Sequence, residues 1–349
     1  MNPNRPRLWV MKLKPIIKKG FLVFTVSCIA AGLAVILSSC APTYPKEQIN
    51  ELVKNVFRIE YNMDVDIAVE GNTLGIYHPM KGLLDVGMGI SQDAWDQISN
   101  LILVASRVVL STDADIKFYC VITQDERLPE MQVIIIKYVD DVKRGMYRNI
   151  SRNESFKRTL FSINLTPQAK KERSVEKVFD KLGLEEETRE NVLSEFFRSP
   201  PTKLSDIGYW RRNFYLKDIS LEEFLAAQIA NRIKIEFRGE EDLNKDFKIS
   251  YSEGMFNAGK DLRSIIVKFK IFDQKKPEED RDLRRTKISR IIHIANEVIY
   301  GYKFKDFDIL ELDDQLANVK LWITSENVYD YNRDKLSLDN IVKTSGNYF

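Results

Sequence analysis

From residue 47 onward, two hydrophobic periodicities alternate along the chain. Residues 47–61 carry apolar positions at helical spacing and end Phe57-Arg58-Ile59-Glu60-Tyr61; residues 221–237 end Ile233-Lys234-Ile235-Glu236-Phe237 in the same pattern. Ser220 and Glu223 stand at the spacing of a capping box, in which each side chain accepts a hydrogen bond from the other residue's backbone N–H and starts a helix. Each run leads into two strand-like segments, 66–69 and 74–77 around Gly71-Asn72, then 247–251 and 264–272, and both pairs read as hairpins. A longer helical stripe follows in each case: Trp95, Ile98, Leu101, Ile102, Ala105, Val108 and Val109, then Ile288, Ile291, Ile292, Ala295, Val298 and Ile299. Strand pairs at 116–123 and 131–139, and at 307–312 and 319–324, complete both series.

The order helix, hairpin, helix, hairpin thus occurs twice. Strands with one apolar face need a cover, which two amphipathic helices per series supply, so the pattern predicts an α+β fold of two similar modules, each an antiparallel sheet covered by helices. Residues 47–163 form the first module and 220–349 the second, which carries its own capped start and is expected to fold alone. Between them, 164–219 reads as a helical connector: Thr166-Pro167 opens one helix to Leu182, a second spans 185–197, and Ser199-Pro200-Pro201 ends it. Tyr209, Trp210, Phe214 and Tyr215 predict that this connector is packed, because four large aromatic residues are costly to leave in water together.

The N-terminal region has another character. Residues 20–37 are uncharged and largely apolar, follow a lysine-bearing stretch and end in Leu37-Ser38-Ser39-Cys40. This tetrad resembles the lipobox of bacterial lipoproteins, and the resemblance covers only the first 40 residues or so. It implies a signal peptide over 1–39, acylation of the Cys40 thiol, cleavage before that residue, and a short lipidated tether over 40–46. Ala41 stands where an aspartate often retains such proteins at the inner membrane, so the resemblance favours the periplasmic face of the outer membrane in a cell with two membranes. Removing 1–39 also changes the charge. The formal +2 comes from 53 basic and 51 acidic residues; six basic residues and no acids precede Cys40, leaving 47 against 51, a net −4. A mildly acidic body lacks the overall cationic field that drives non-specific nucleic-acid binding, and no nucleic-acid partner is expected.

Hydrophobic content of 44% with 30% charged residues describes a packed globular body. Its two histidines, His78 and His293, cannot build a multi-histidine metal site, and Cys120, flanked by apolar neighbours, reads as a buried strand residue. Gly87-Met88-Gly89 precedes a helix but lacks the third glycine and the lysine of phosphate-binding loops, so the glycines read as a tight approach to a Ser91-capped helix. Asp113, Asp115, Asp140-Asp141 and Glu278-Glu279-Asp280 lack the remaining ligands of a calcium loop. No metal or cofactor is expected. The reading that follows is a lipid-anchored, non-enzymatic envelope protein using two repeated modules to bind a protein partner. The alternatives are a carrier of an apolar envelope ligand and a histidine-independent enzyme. Segments after the last strand of each module mix charge with Tyr147, or with Tyr329 and Tyr331, and these three tyrosines are the expected partner anchors.

Overall fold

A computed structural model describes residues 44–332 other than Val86, Met88, Asp261 and 275–280, together with Ser337 and Asn340. The expected signal segment over 1–39, the tetrad ending at Cys40 and the run Glu278-Glu279-Asp280 lie outside the described residues. The fold is a mixed α+β arrangement. Helix α1 (Ile49–Tyr61) buries Ile49, Val53 and Phe57 on one stripe and stops at Asn62, whose φ of 52° lies in the left-handed region. A hairpin of β1 (Asp66–Glu70) and β2 (Thr73–Met80) turns at Gly71, whose φ of 58° suits a residue without a Cβ. Ser91 then accepts a hydrogen bond from Ala94 N–H and caps α2 (Gln92–Leu110), which buries Ile98, Leu101, Ala105 and Val108. The hairpin β3 (Phe118–Asp125) and β4 (Leu128–Tyr138) comes next, followed by short helices α3 (Val139–Met146) and α4 (Arg152–Lys157) and a strand β5 (Leu160–Leu165).

These strands form one sheet in the order β1-β2-β3-β4-β5. Helix α2 returns the chain to the end at which β2 began, so β3 runs parallel to β2, while every other neighbouring pair is antiparallel. The expectation of a purely antiparallel sheet is corrected here: hydrophobic period locates a strand but carries no direction.

The connector contains α5 (Pro167–Leu182), α6 (Glu186–Phe196) and a small hairpin of β6 (Gly208–Trp210) and β7 (Asn213–Tyr215). The hairpin lies against the first sheet, with the Tyr209 ring stacked on Tyr77 at 3.6 Å and Gly75 facing Phe214 and Leu216. The capping box at Ser220 and Glu223 opens α7 (Leu221–Gly239), and the short α8 (Glu241–Asp246) leads into β8 (Phe247–Ala258) and β9 (Arg263–Asp273). Helix α9 (Arg281–Gly301), β10 (Ile309–Asp314), β11 (Val319–Thr324) and α10 (Ser325–Asn332) complete the described fold. The second sheet runs β8-β9-β10-β11, with its central pair, β9 and β10, parallel as β2 and β3 are in the first.

Two apolar cores result among the described residues. Helices α1 and α2 cover one face of the first sheet, packing on Leu74, Ile76, Tyr119, Val121, Val133 and Ile135. The opposite face offers Phe118, Cys120, Ile122, Ile134 and Ile136 to a larger core that also contains α7, α9 and the inner face of the second sheet. Helix α7 is therefore shared: Phe224, Ile229, Ile233 and Phe237 all belong to that core, and Phe224 touches the Phe118 ring of the first sheet at 5.3 Å. The second sheet buries Ile265, Val267, Phe269 and Ile271 on this side and leaves Lys270, Phe272, Lys320 and Trp322 in water on the other.

Candidate functional site

Beside α7 the two sheets leave a cleft of about 270 Å³ that opens to solvent. One wall is the inner face of the first sheet at its β4–β5 end, with Ile134, Ile136, Leu160, Ser162 and Asn164. Cross-strand pairing of Ile134 with Ser162 and of Ile136 with Leu160 puts these residues on the same face, as period-two alternation requires. The floor is one stripe of α7, where Ala227, Ala230, Asn231 and Lys234 recur at spacings of three and four. The opposite wall is β8 from Ser252 to Phe256, and the loop from Thr202 to Ser205 closes one end. Gly254 sets the approach of that wall: a Cβ there would overlap the Ala226 carbonyl oxygen, so β8 rests directly on the α7 backbone.

Charges sit at both ends of the cleft. Lys203 pairs with Glu253 at 3.0 Å, and Lys217 with Glu223 at 2.5 Å. Burial acts to raise the Glu253 pKa, but hydrogen bonds from Tyr251 and Lys203 outweigh it and hold the carboxyl below its ordinary value. Lys234 differs, since among the described residues it makes no hydrogen bond or ion pair; burial, then the nearby Arg238, lowers its pKa against a weaker pull from Glu253. The Ser252 hydroxyl, 2% exposed, also has no hydrogen-bond partner among the described residues. The cleft thus combines a small apolar floor, a cation without a direct ion pair and an unsatisfied buried hydroxyl.

A buried polar cluster ties α7 to the segment that precedes β5. Arg158 donates to Asp141 at 2.9 Å and to Glu154 at 2.7 Å, Arg232 of α7 donates to the same Glu154 at 2.8 Å, and the Tyr302 hydroxyl donates to Asp141. The Arg158 guanidinium also lies 4.6 Å above the Tyr302 ring. Burial raises the Asp141 pKa against the effect of Tyr302 and Arg158. The cluster joins α3 and α4 to α7 and α9, and β5 follows α4 after two residues. Removing one partner would leave the others charged and out of water, a loss of about 3–5 kcal/mol.

Of the residues singled out by sequence, Cys40 lies outside the described residues. Tyr147 is 75% exposed just beyond α3. Tyr329 and Tyr331 lie on α10, half-buried against the large core; Tyr329 donates to the Phe304 carbonyl and packs 6.3 Å from Tyr300. Cys120 is buried, and burial pushes its thiol pKa up, so it is no ready nucleophile. Gly89 N–H donates to the Asp85 carboxylate at 2.8 Å, which places a negative charge where a phosphate would sit. Asp140 pairs with Lys143 on the surface while Asp141 points into the cluster, so the two acids do not share a site. His78 meets the Asp64 carbonyl, and His293 faces Glu297 at 3.1 Å. Among the described residues no group of three or more His, Cys, Asp or Glu could hold a metal, and no helix is long and apolar enough to cross a membrane. The cleft and the Arg158–Arg232 cluster escaped sequence reasoning, because their residues come from distant segments, as with Asp141 and Tyr302, which are 161 positions apart. Comparison with family models, curated proteins and solved structures finds no match to this chain.

Proposed function

We propose that the chain is a lipid-anchored envelope protein that binds a protein partner through the cleft between its two halves and performs no chemistry of its own. The observation that carries this reading is the lining of the cleft, where apolar, hydroxyl, amide and charged groups alternate around an unpaired Lys234. A carrier of an apolar ligand calls for a more uniformly apolar and enclosed cavity. Acyl groups on Cys40 hold the protein to the membrane, on the periplasmic face of the outer membrane in a cell with two membranes.

The halves are related modules, 47–163 and 220–349, joined by the connector 164–219. Supporting this are the element orders α1-β1-β2-α2-β3-β4-α3 and α7-β8-β9-α9-β10-β11-α10, which match once the short α8 and the additional strand β5 are set aside, and the parallel pairs β2-β3 and β9-β10. A second contact surface is the exposed Tyr147 beyond α3, with Tyr329 and Tyr331 on the corresponding helix α10 acting as anchors from the other half. The test uses Asn231→Trp, which fills the floor of the cleft, in the full chain. Partners recovered from gently solubilised membranes are identified by mass spectrometry, beside Cys40→Ala as the unanchored control. Loss of a discrete partner with Asn231→Trp at an unchanged melting temperature supports the reading; full recovery of that partner contradicts it. Continued processing and membrane retention of Cys40→Ala would reject the anchor.

A further inference from the structure

The outer side of β5 is an open strand edge. Thr166 N–H donates to the Glu130 carbonyl, which places 160, 162 and 164 in the positions bonded to β4. The N–H and C=O groups of Phe161 and Ile163 therefore point away from β4, and among the described residues no backbone hydrogen bond reaches them. An unpaired edge is a template for another strand. This one borders the cleft, where Phe161 is part of the lining, and Lys234 lies on the floor below, feeling Glu253 but making no hydrogen bond or ion pair among the described residues.

From this arrangement we infer that the cleft takes an extended polypeptide segment of the partner, added as a sixth strand beside β5, with a carboxylate of that segment on Lys234. The inference rests on the cleft being the partner site and specifies how the partner is recognised. Main-chain bonds to Phe161 and Ile163 supply affinity without regard to sequence, while alternate side chains reach α7 and are read there. Small residues are favoured over Ala227 and Ala230, and an acid at Lys234. The equivalent cation in α1, Arg58, faces solvent and lies 3.9 Å from Asp64, so the unpaired cation belongs to the cleft and not to the repeat.

The probe is a random octapeptide library selected against the full chain without its signal segment. Selected peptides should carry an acidic residue. Backbone N-methylation at alternate positions should abolish binding in one phase and spare it in the other, because only every second N–H of an added strand faces β5. On binding, amide exchange should slow at Phe161 and Ile163 and stay unchanged at Ser162. Replacing the peptide's acid by its amide should weaken binding about tenfold, the equivalent of one charge-assisted hydrogen bond. Lys234→Met should remove that difference and Lys234→Arg should restore it, with melting temperature as the folding control. Binding that tolerates N-methylation in both phases, or shows no acid preference, overturns this inference and leaves the partner cleft standing. Selection of no peptide, with laurate binding that Asn231→Trp prevents, overturns both.

Discussion

Four strands of the first sheet and the four of the second follow the same order, each with a parallel second and third strand, yet the first sheet is covered on both faces and the second on one. The first sheet's inner strands are accordingly apolar in runs, Phe118-Tyr119-Cys120-Val121-Ile122 and Val133-Ile134-Ile135-Ile136, while the second alternates around Ile265, Val267, Phe269 and Ile271. The difference traces to α7. Helix α1 buries one stripe and leaves Ile59 80% exposed, whereas α7 is buried on the sides facing both sheets. One helix thus serves two sheets, and its Ala227–Lys234 stripe forms the floor of the cleft between them.

The sharpest way to break this comparison is to separate the halves. Expressed alone, 220–349 exposes Phe224 and the rest of the α7 surface that meets the first sheet. The expectation from sequence that this segment folds alone gives way to the opposite outcome: it should lack a cooperative denaturant transition and bind hydrophobic dyes. Independent, cooperative unfolding of the fragment would show that the shared core adds little. Single core residues come next. Ile134→Ala, on the doubly covered sheet, should cost about 2–5 kcal/mol, and Phe224→Ala about 3–5 kcal/mol, by denaturant melts. Hydrogen exchange should show Phe224→Ala lowering protection in both sheets together, whereas Phe57→Ala acts first around α1.

Acid sensitivity gives a smaller effect. Burial acts to raise the Glu154 pKa, but hydrogen bonds from Arg158 and Arg232 outweigh it and hold the carboxyl below its ordinary 4.5. The unfolded chain then takes up this proton at higher pH than the fold does, so the stabilisation is full above pH 4.5 and is lost as pH falls towards the folded-state value. Asp141, raised by burial, acts in the opposite sense, and comparison with Glu154→Gln isolates the slope. Between pH 6 and 3 the variant's melting temperature should fall less than the wild type's, by about 2–4 °C for each kcal/mol involved. The smallest effect is expected on the open face, where Trp322→Ala should cost no more than about 1 kcal/mol.

Much of this architecture is legible in the sequence, element by element. The capping box at Ser220, the stripe from Ile98 to Val109 and the turn at Gly71 are local signals with local causes, and the helices and hairpins fall close to their expected positions. The apolar run at Phe118 carries a further signal, since a strand without alternation needs cover on both faces. Strand β5 is harder to see because six residues of mixed polarity bound its only apolar pattern. The candidate site is not legible: Ser162, Lys234 and Gly254 meet only through pairing and packing, and Arg158 and Arg232 read as surface cations until Glu154 and Asp141 are placed beside them.

The central claim, that the partner occupies the space between the halves, is tested most directly by placing a photo-crosslinking residue at Asn231 on the cleft floor, or at the exposed Tyr147, in the full chain in its native envelope. Crosslinking at position 231 to one discrete partner, mapped by mass spectrometry to an extended segment of that partner and absent when Gly254→Val displaces β8, is the expected result. Efficient crosslinking from position 147 with none from 231 would contradict it and move the partner surface to the segment beyond α3.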